Sequence, residues 1–98
     1  MDNRALDQAL AKRDSVMRAF VGADGRIPRI PVKMAKRLVV LDHVAQSFEV
    51  GRRYSEGEVN DVLRGFHDDW VALRRYLVDD EFLERANGMY WRSGGTVS

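Results

Sequence analysis

The stretch that decides the fold is residues 55–92, SEGEVNDVLRGFHDDWVALRRYLVDDEFLERANGMYWR. It opens with a capping-box pattern, in which the Ser55 hydroxyl accepts a hydrogen bond from the Glu58 amide and the Glu58 carboxylate accepts one from the Ser55 amide. The apolar residues that follow are spaced as on one face of a helix, and they predict a helix over 56–66. These residues are Val59, Val62, Leu63 and Phe66.

A second helix and a hairpin follow in the same stretch. Asp68 or Asp69 can cap the N-terminus of a helix over 69–80, since a carboxylate accepts hydrogen bonds from the free amides of a first turn. Its inward-facing residues are predicted to be Trp70, Leu73 and Leu77. The last part of the stretch indicates a hairpin, because Asn87 and Gly88 suit a type I′ turn with positive φ at both positions.

Two further helices are predicted upstream. Apolar residues at about 3.6-residue spacing predict a first helix over 4–21. The prolines within residues 27–31 favour extended backbone. A second apolar stripe predicts a helix over 32–48, with Gly51 as its stop and a short extended piece at Tyr54. The stripes consist of Leu6, Leu10, Met17 and Phe20, and of Met34, Leu38, Leu41, Ala45 and Phe48.

The order of elements predicts an α+β fold that is mainly α with a small β-hairpin. A winged helix-turn-helix has the order helix, short strand, helix, tight turn, helix and hairpin, and this chain has an extra N-terminal helix before it. We expect a single domain over 1–98, with the N-terminal helix (1–21), an extended loop (22–31), the winged helix-turn-helix (32–92) and a disordered tail (93–98). The predicted core consists of Leu38, Leu41, Phe48, Val59, Leu63, Leu73, Leu77 and Leu83.

The junction between the last helix and the hairpin supports the same fold. The segment Leu77-Val78-Asp79-Asp80-Glu81-Phe82-Leu83-Glu84-Arg85 resembles the passage from recognition helix to wing in bacterial winged-helix regulators. In those proteins a leucine ends the helix, an aliphatic pair opens the strand, and Glu-Arg continues into the wing. Glu81 stands where they usually have a glycine.

Several further motifs extend over about residues 17–92. They are Asp24-Gly25-Arg26, Ile30-Pro31, Lys36-Arg37-Leu38-Val39-Val40-Leu41, Tyr54-Ser55-Glu56, Glu58-Val59-Asn60, Leu73-Arg74-Arg75-Tyr76-Leu77-Val78 and Tyr90-Trp91-Arg92. In these motifs the chain resembles a bacterial family of unknown function, number 2087 in the series of such domains. Members occur alone or attached to transcription-regulator domains, so the resemblance implies a role in gene regulation.

Composition narrows the class of protein. The 98 residues are 45% hydrophobic and include no cysteine, which excludes a disulfide framework, thiol catalysis and a zinc–thiolate site. The longest clear apolar run, residues 38–41, is far shorter than the roughly 18 residues that span a membrane. The N-terminus lacks the basic-then-apolar pattern of a secretory signal. We therefore expect a cytoplasmic protein that does not associate with membranes.

The outward face of the helix over 69–80 is the candidate DNA-reading surface. In a helix-turn-helix the second helix enters the major groove. At 100° per residue its outer face and flank hold Val71, Ala72, Arg75 and Tyr76. We expect Arg75 to contact guanine or phosphate and Tyr76 to contact phosphate. Acidic residues at both ends of the helix oppose this binding, since carboxylates repel phosphates. They are Asp68, Asp69, Asp79 and Asp80.

One cation of the same helix has a different expected role. Arg74 follows the inward-facing Leu73 directly, which places it at the edge of the core. We expect its aliphatic stem to pack on the core while its guanidinium reaches a glutamate or an aspartate. The sequence therefore assigns Arg74 to the structure of the domain and Arg75 to binding.

The stretch 26–37 is the strongest basic feature, with five cations and no acid. Residues 1–32, 33–53 and 54–98 carry net charges of +2, +3 and −4, so the candidate reading helix lies in the acidic part. The basic run could supply the phosphate contacts that this helix lacks. It could equally be a solvated basic surface that pairs with the acidic part of another copy. Its cations are Arg26, Arg29, Lys33, Lys36 and Arg37.

The sequence contains no convincing catalytic or metal-binding pattern. Gly22 and Gly25 lie in a turn without the strand and the lysine of a phosphate-binding loop. His67, Asp68 and Asp69 are adjacent at a helix start, where capping explains them better than coordination of one ion. No serine has a histidine and an acid in a suitable context. We expect no enzymatic activity, no metal and no cofactor.

Two functions remain as alternatives. The first is a small DNA-binding transcriptional regulator that binds double-stranded DNA as a homodimer, with the apolar stripe of the N-terminal helix as the self-association surface. The second is a winged-helix module for protein–protein contacts that does not touch DNA. A continuous acidic surface over 69–80 and the hairpin would favour the second function.

Overall fold

The computed structural model describes residues 4–97, and over that range it contains five helices and one three-stranded antiparallel sheet. The elements are α1 (Arg4–Leu10), α2 (Arg13–Phe20), α3 (Met34–Ala45), β1 (Arg53–Ser55), α4 (Glu56–Arg64), α5 (Trp70–Asp79), β2 (Leu83–Ala86) and β3 (Met89–Arg92). The predicted α+β fold is confirmed, and the arrangement is compatible with a winged helix. No helix in the described part is long and apolar enough to cross a membrane.

The sheet has the strand order β1-β3-β2. The sequence predicts the hairpin of β2 and β3 and a short extended piece at Tyr54, and the structure shows that this piece is β1, which pairs Tyr54 with Tyr90. The hairpin turns at Asn87 and Gly88, whose φ angles of 54° and 76° are the positive values that a type I′ turn requires. Because β1 runs directly into α4, this pairing attaches the hairpin to the helical part of the domain.

The core lies between the helices and the inner face of the sheet. All eight residues predicted to form it are buried, so that prediction is confirmed. α3 lies at its centre, because α1, α2 and α5 all pack against this helix. The core also includes Ile27, Val39, Val40, Val44, Tyr54, Phe82 and Tyr90.

The N-terminal segment differs from the prediction of one helix over 4–21. α1 and α2 are separated by a turn in which the Ala11 and Lys12 amides donate to the carbonyls of Gln8 and Ala9. No glycine or proline stands at this break, and both helices pack against α3. Tertiary packing therefore ends α1. Residues 1–3 of the predicted segment lie outside the described residues.

The apolar stripe of α1 and α2 packs against the core of the same chain. Leu6 is buried, and Leu10, Met17 and Phe20 are half-buried against the core. This packing accounts for most of the stripe that suggested a self-association surface. The homodimer stays a prediction, without this stripe to support it.

The tail over 93–98, predicted to be disordered, is bound to α3 as far as the structure describes it. The Asp42 carboxylate, on a residue 5% exposed, accepts hydrogen bonds from the Thr96 amide at 2.6 Å and the Thr96 hydroxyl at 3.0 Å. The Gln46 side-chain amide and the Arg92 guanidinium both donate to the Thr96 carbonyl. These contacts are expected because a buried carboxylate needs hydrogen-bond donors, and they argue against the disorder predicted for the tail. The last residue of the tail lies outside the described range.

Candidate nucleic-acid interface

α5 is positioned by a cap at its start and by apolar residues along one face. The Asp69 carboxylate accepts a hydrogen bond from the Ala72 amide at 3.1 Å, which identifies Asp69 rather than Asp68 as the cap. Trp70, predicted to face inward, is half-buried beneath the Arg64 guanidinium, 4.6 Å from the ring centre. The fully buried residues of the helix are Leu73 and Leu77. The opposite face of α5 is therefore directed to solvent.

The four residues predicted to read DNA occupy two different sides of α5. Val71 is 49% exposed and Arg75 is exposed, and both lie opposite the buried face. Arg75 forms no ion pair with any described residue. Ala72 and Tyr76 are half-buried, and the Tyr76 ring lies 4.7 Å from the Arg37 guanidinium of α3. The structure thus keeps Val71 and Arg75 as one surface and places Tyr76 on the flank that faces α3.

The hairpin contributes a cation that the sequence analysis missed. Arg85 pairs with Tyr90 across β2 and β3, so both side chains lie on the same face of the sheet. Its guanidinium lies 5.8 Å from the Tyr90 ring centre and forms no ion pair among residues 4–97. A groove of about 210 Å³ between α5 and the hairpin is lined by Val71, Arg75, Val78, Asp79, Arg85 and Tyr90, among others. The sequence did contain a signal for Arg85, because the alternation of side chains along the two strands of the hairpin places it on the same face as Tyr90.

Arg74 connects α5 to α4 as the sequence predicts. Its guanidinium donates to the Asn60 side-chain oxygen at 2.6 Å and pairs with the Glu56 carboxylate at 3.2 Å. The Tyr90 hydroxyl of β3 also donates to Glu56, at 3.4 Å. These contacts join α4, α5 and the hairpin, so they fix the width of the groove.

Two cations of the basic run are engaged inside the domain. The Arg26 guanidinium pairs with Asp68 at 2.8 Å and donates to the Arg64 carbonyl at 2.8 Å. The Arg37 guanidinium pairs with Asp80 at 3.0 Å, and these side chains are only 15% and 13% exposed. Arg26 and Arg37 are therefore partnered within the domain, and their contact with phosphate stays a prediction.

The same ion pairs reduce the acidic character of the ends of α5. Asp68 and Asp80 are paired with cations, and the Asp69 carboxylate is hydrogen-bonded to a backbone amide. Asp79 is exposed in the groove, and it forms no ion pair with another described residue. A hydrogen bond from an amide does not neutralise a carboxylate, so acidic residues at both ends of α5 still oppose the approach of phosphates.

The other three cations of the basic run are not among the residues that line the groove beside α5. The Arg29 guanidinium and the Lys36 ammonium lie 5.8 Å and 6.0 Å from the centre of the Phe20 ring of α2. Lys33 is exposed at the start of α3. No contact described for these residues joins them to Arg75, and their role in binding phosphate stays a prediction.

The N-terminus of α4 is occupied by its own chain. The predicted capping box is present, with the Ser55 hydroxyl accepting from the Glu58 amide at 3.1 Å and the Glu58 carboxylate accepting from the Ser55 amide at 2.9 Å. The bonds from the Ser55 amide and then from its hydroxyl lower the pKa of Glu58, with a smaller contribution from Arg52. An ionised glutamate at this position disfavours a phosphate there.

The two histidines have structural surroundings. The His67 ring nitrogen Nδ1 is 2.6 Å from the Ile27 carbonyl oxygen, which joins the extended loop to the turn before α5. The His43 ring packs edge-on against Phe66, and burial followed by the charge of Arg13 lowers its pKa, while Asp42 raises it. Over residues 4–97, no group of three potential metal ligands is brought together.

Comparison with known proteins identifies one family. A model described as "Uncharacterized protein conserved in bacteria (DUF2087)" matches residues 26–92, which is more than half of the chain. The match runs from the loop before α3 to the end of β3, so it includes α5 and the hairpin. No curated protein and no solved structure matches the chain.

Proposed function

The chain belongs to the DUF2087 family of proteins conserved in bacteria, and from this premise we propose that it is a small DNA-binding transcriptional regulator. One observation carries this function: Arg75 of α5 and Arg85 of the hairpin line the same groove, and neither forms an ion pair with a described residue. Unpaired arginines on an exposed helix and an adjacent hairpin can contact both the phosphates and the base edges of a DNA duplex.

In this proposal α5 enters the major groove, because a helix of this diameter fits there and the second helix of a helix-turn-helix takes that position. Arg75 then contacts guanine or phosphate, and the exposed Val71 packs against a thymine methyl group. Arg85 contacts a flanking phosphate from the hairpin. Asp79 disfavours phosphate at the C-terminal end of α5, so we expect the first two turns of the helix to make the base contacts.

A binding titration over a salt series tests this function. We expect labelled random genomic duplexes to bind with an affinity that falls as salt rises, because neutralising phosphates releases counterions. Arg75→Ala should weaken binding by about 1–3 kcal/mol and relax any sequence preference. Arg85→Ala should weaken binding to all sequences alike and reduce the salt slope by about one.

Arg18→Ala is the matched control. Arg18 is exposed on α2, forms no ion pair with a described residue, and loses the same charge when it is replaced. It should leave the affinity and the salt slope nearly unchanged. Equal losses in all three variants would show that only net charge matters, and absence of binding by the unaltered chain at low salt would rule out DNA binding.

A protein-interaction module is the second candidate. The half-exposed Val71 and the neighbouring Val78 give the groove apolar as well as charged walls, and such walls suit a peptide or a helix of a partner protein. A chain that fails to bind DNA at low salt would support this second function. In both cases we propose a cytoplasmic protein without catalytic activity, on the basis of the sequence alone.

A further inference from the structure

We propose that the pocket between α2 and the loop before α3 binds an acidic segment of a partner protein, with one apolar side chain of that segment inserted into it. The pocket has a volume of about 250 Å³ and is lined by Ala19 and Phe20 of α2 and by Pro28 and Arg29 of the loop. It is a different surface from the groove beside α5, so this inference is independent of DNA binding.

The pocket combines an apolar floor with a basic rim. Phe20 is half-buried, and its ring has the Arg29 guanidinium at 5.8 Å and the Lys36 ammonium at 6.0 Å from its centre. Neither cation forms an ion pair with another described residue. Lys33 is exposed three residues before Lys36 on the same helix end and adds a third unpaired cation.

The division of the basic run strengthens this assignment. Arg26 and Arg37 neutralise carboxylates within the domain, so their charges have a structural explanation. Arg29, Lys33 and Lys36 have no such explanation, and two of them are held beside one aromatic ring. Two uncompensated cations beside the Phe20 ring, with Lys33 near them in the chain, are complementary to carboxylates that flank an apolar side chain.

The shape of the pocket distinguishes this ligand from other anions. A phosphate backbone would satisfy the cations but would place no apolar side chain in the pocket. A bilayer surface favours apolar groups that protrude, whereas the Phe20 ring is half-buried at a concave site. An acidic segment with an aromatic or aliphatic side chain matches both the charge and the concavity.

A labelled peptide that alternates glutamate with phenylalanine is a suitable probe, followed by fluorescence anisotropy. We expect it to bind the full chain, and we expect Lys36→Glu to weaken binding by at least about tenfold through charge repulsion. Arg29→Gln, which only removes an exposed charge, should weaken binding less. Lys12→Glu is the matched control, since it reverses an exposed charge that forms no ion pair with a described residue and does not line this pocket, and it should change the affinity little.

Three results would overturn the proposal. The first is equal affinity for a peptide in which alanine replaces phenylalanine, because the pocket would then contribute nothing. The second is an equal loss of affinity in Lys36→Glu and Lys12→Glu. The third is binding of duplex DNA or phosphatidylserine vesicles that Lys36→Glu abolishes and Arg75→Glu preserves, which would make this surface a site for phosphate groups.

Discussion

Glu81 is the residue whose backbone conformation fits its side chain least well. It follows α5 with a φ of 66°, in the left-handed region, where a β-carbon costs roughly 1–2 kcal/mol. Its amide donates to the Val78 carbonyl, and the Phe82 amide donates to the Leu77 carbonyl, so the helix ends by turning through this position. The winged-helix regulators that this junction resembles usually have a glycine there.

We expect Glu81→Gly to raise the free energy of unfolding by about 0.5–1 kcal/mol. The relief of the left-handed conformation should exceed the entropy that glycine adds to the unfolded chain. Glu84→Gly in β2 is the control and should lower stability, because glycine weakens a strand. Urea denaturation of both variants measures the difference. A lower midpoint for Glu81→Gly would contradict the conformation described here.

His43 should make stability depend on pH. Burial and Arg13 lower the pKa of its imidazole below its ordinary value of 6.5, against a smaller opposite effect of Asp42. The unfolded histidine then binds its proton at a higher pH than the folded one. Its contribution is fully present above about pH 6.5 and is lost as the pH falls through the lowered pKa.

Urea midpoints measured between about pH 8 and pH 5 test this dependence. We expect the unaltered chain to lose stability toward the acidic end of this range, and His43→Gln to lose less, because glutamine does not titrate. Parallel pH profiles for the two proteins would show that another group is responsible.

Burial of individual residues could be predicted from the sequence, but the ion pairs could not. Leu38, Leu41 and the rest of the predicted core were found from apolar periodicity, which reports the inward face of each helix. The partners in Arg26–Asp68 and Arg37–Asp80 are 42 and 43 positions apart, and no local pattern connects them. Their pairing depends on how α3, α5 and the loop pack, so the sequence left all five cations of the basic run available for DNA.

At the scale of elements, the sequence analysis correctly predicted the elements that are defined by hydrogen bonds and turns within a few residues. The capping box and the Asn87-Gly88 turn are satisfied within a few residues, so α4 and the hairpin agree with the sequence analysis. The break between α1 and α2 and the bound tail depend on contacts with α3 instead. Arg85 is a different case, since the predicted hairpin already pairs it with Tyr90 and strand alternation could have identified it.

The tail should contribute to stability through Thr96. We expect Thr96→Val to lower the free energy of unfolding by about 1 kcal/mol or more, because the buried Asp42 carboxylate loses its hydroxyl donor. Val97→Ala is the control and should have little effect, since Val97 is 71% exposed. Urea denaturation compares the two. Equal midpoints for Thr96→Val and the unaltered chain would indicate that the tail does not hold Asp42 in solution.

At the scale of the whole molecule, α1 and α2 should act as part of the core. Removing residues 1–21 takes Leu6, Ala9 and Val16 out of the core. We expect a loss of about 3–6 kcal/mol in the free energy of unfolding, or complete unfolding, since each large buried apolar side chain contributes roughly 1.5–3 kcal/mol. Thermal denaturation of the shortened chain measures this loss.

Sedimentation of the same two proteins tests the predicted homodimer. One result would identify α1 and α2 as an interface. In that result the full chain sediments as a dimer, and the shortened chain sediments as a monomer with an unchanged thermal midpoint. That result would contradict their assignment to the core. We expect the shortened chain to unfold at a lower temperature than the full chain, or not to fold at all, whatever the oligomeric state of the full chain.

We propose that the face formed by α5 and the hairpin binds duplex DNA. An NMR titration of the ¹⁵N-labelled chain with a short random duplex at low salt is the decisive experiment, because amide shifts identify the surface that is contacted. We expect the largest shifts around Val71, Arg75 and Arg85, and small shifts in α1 and α2. Shifts confined to the surroundings of Phe20 and Lys36, or no shifts at all, would contradict it.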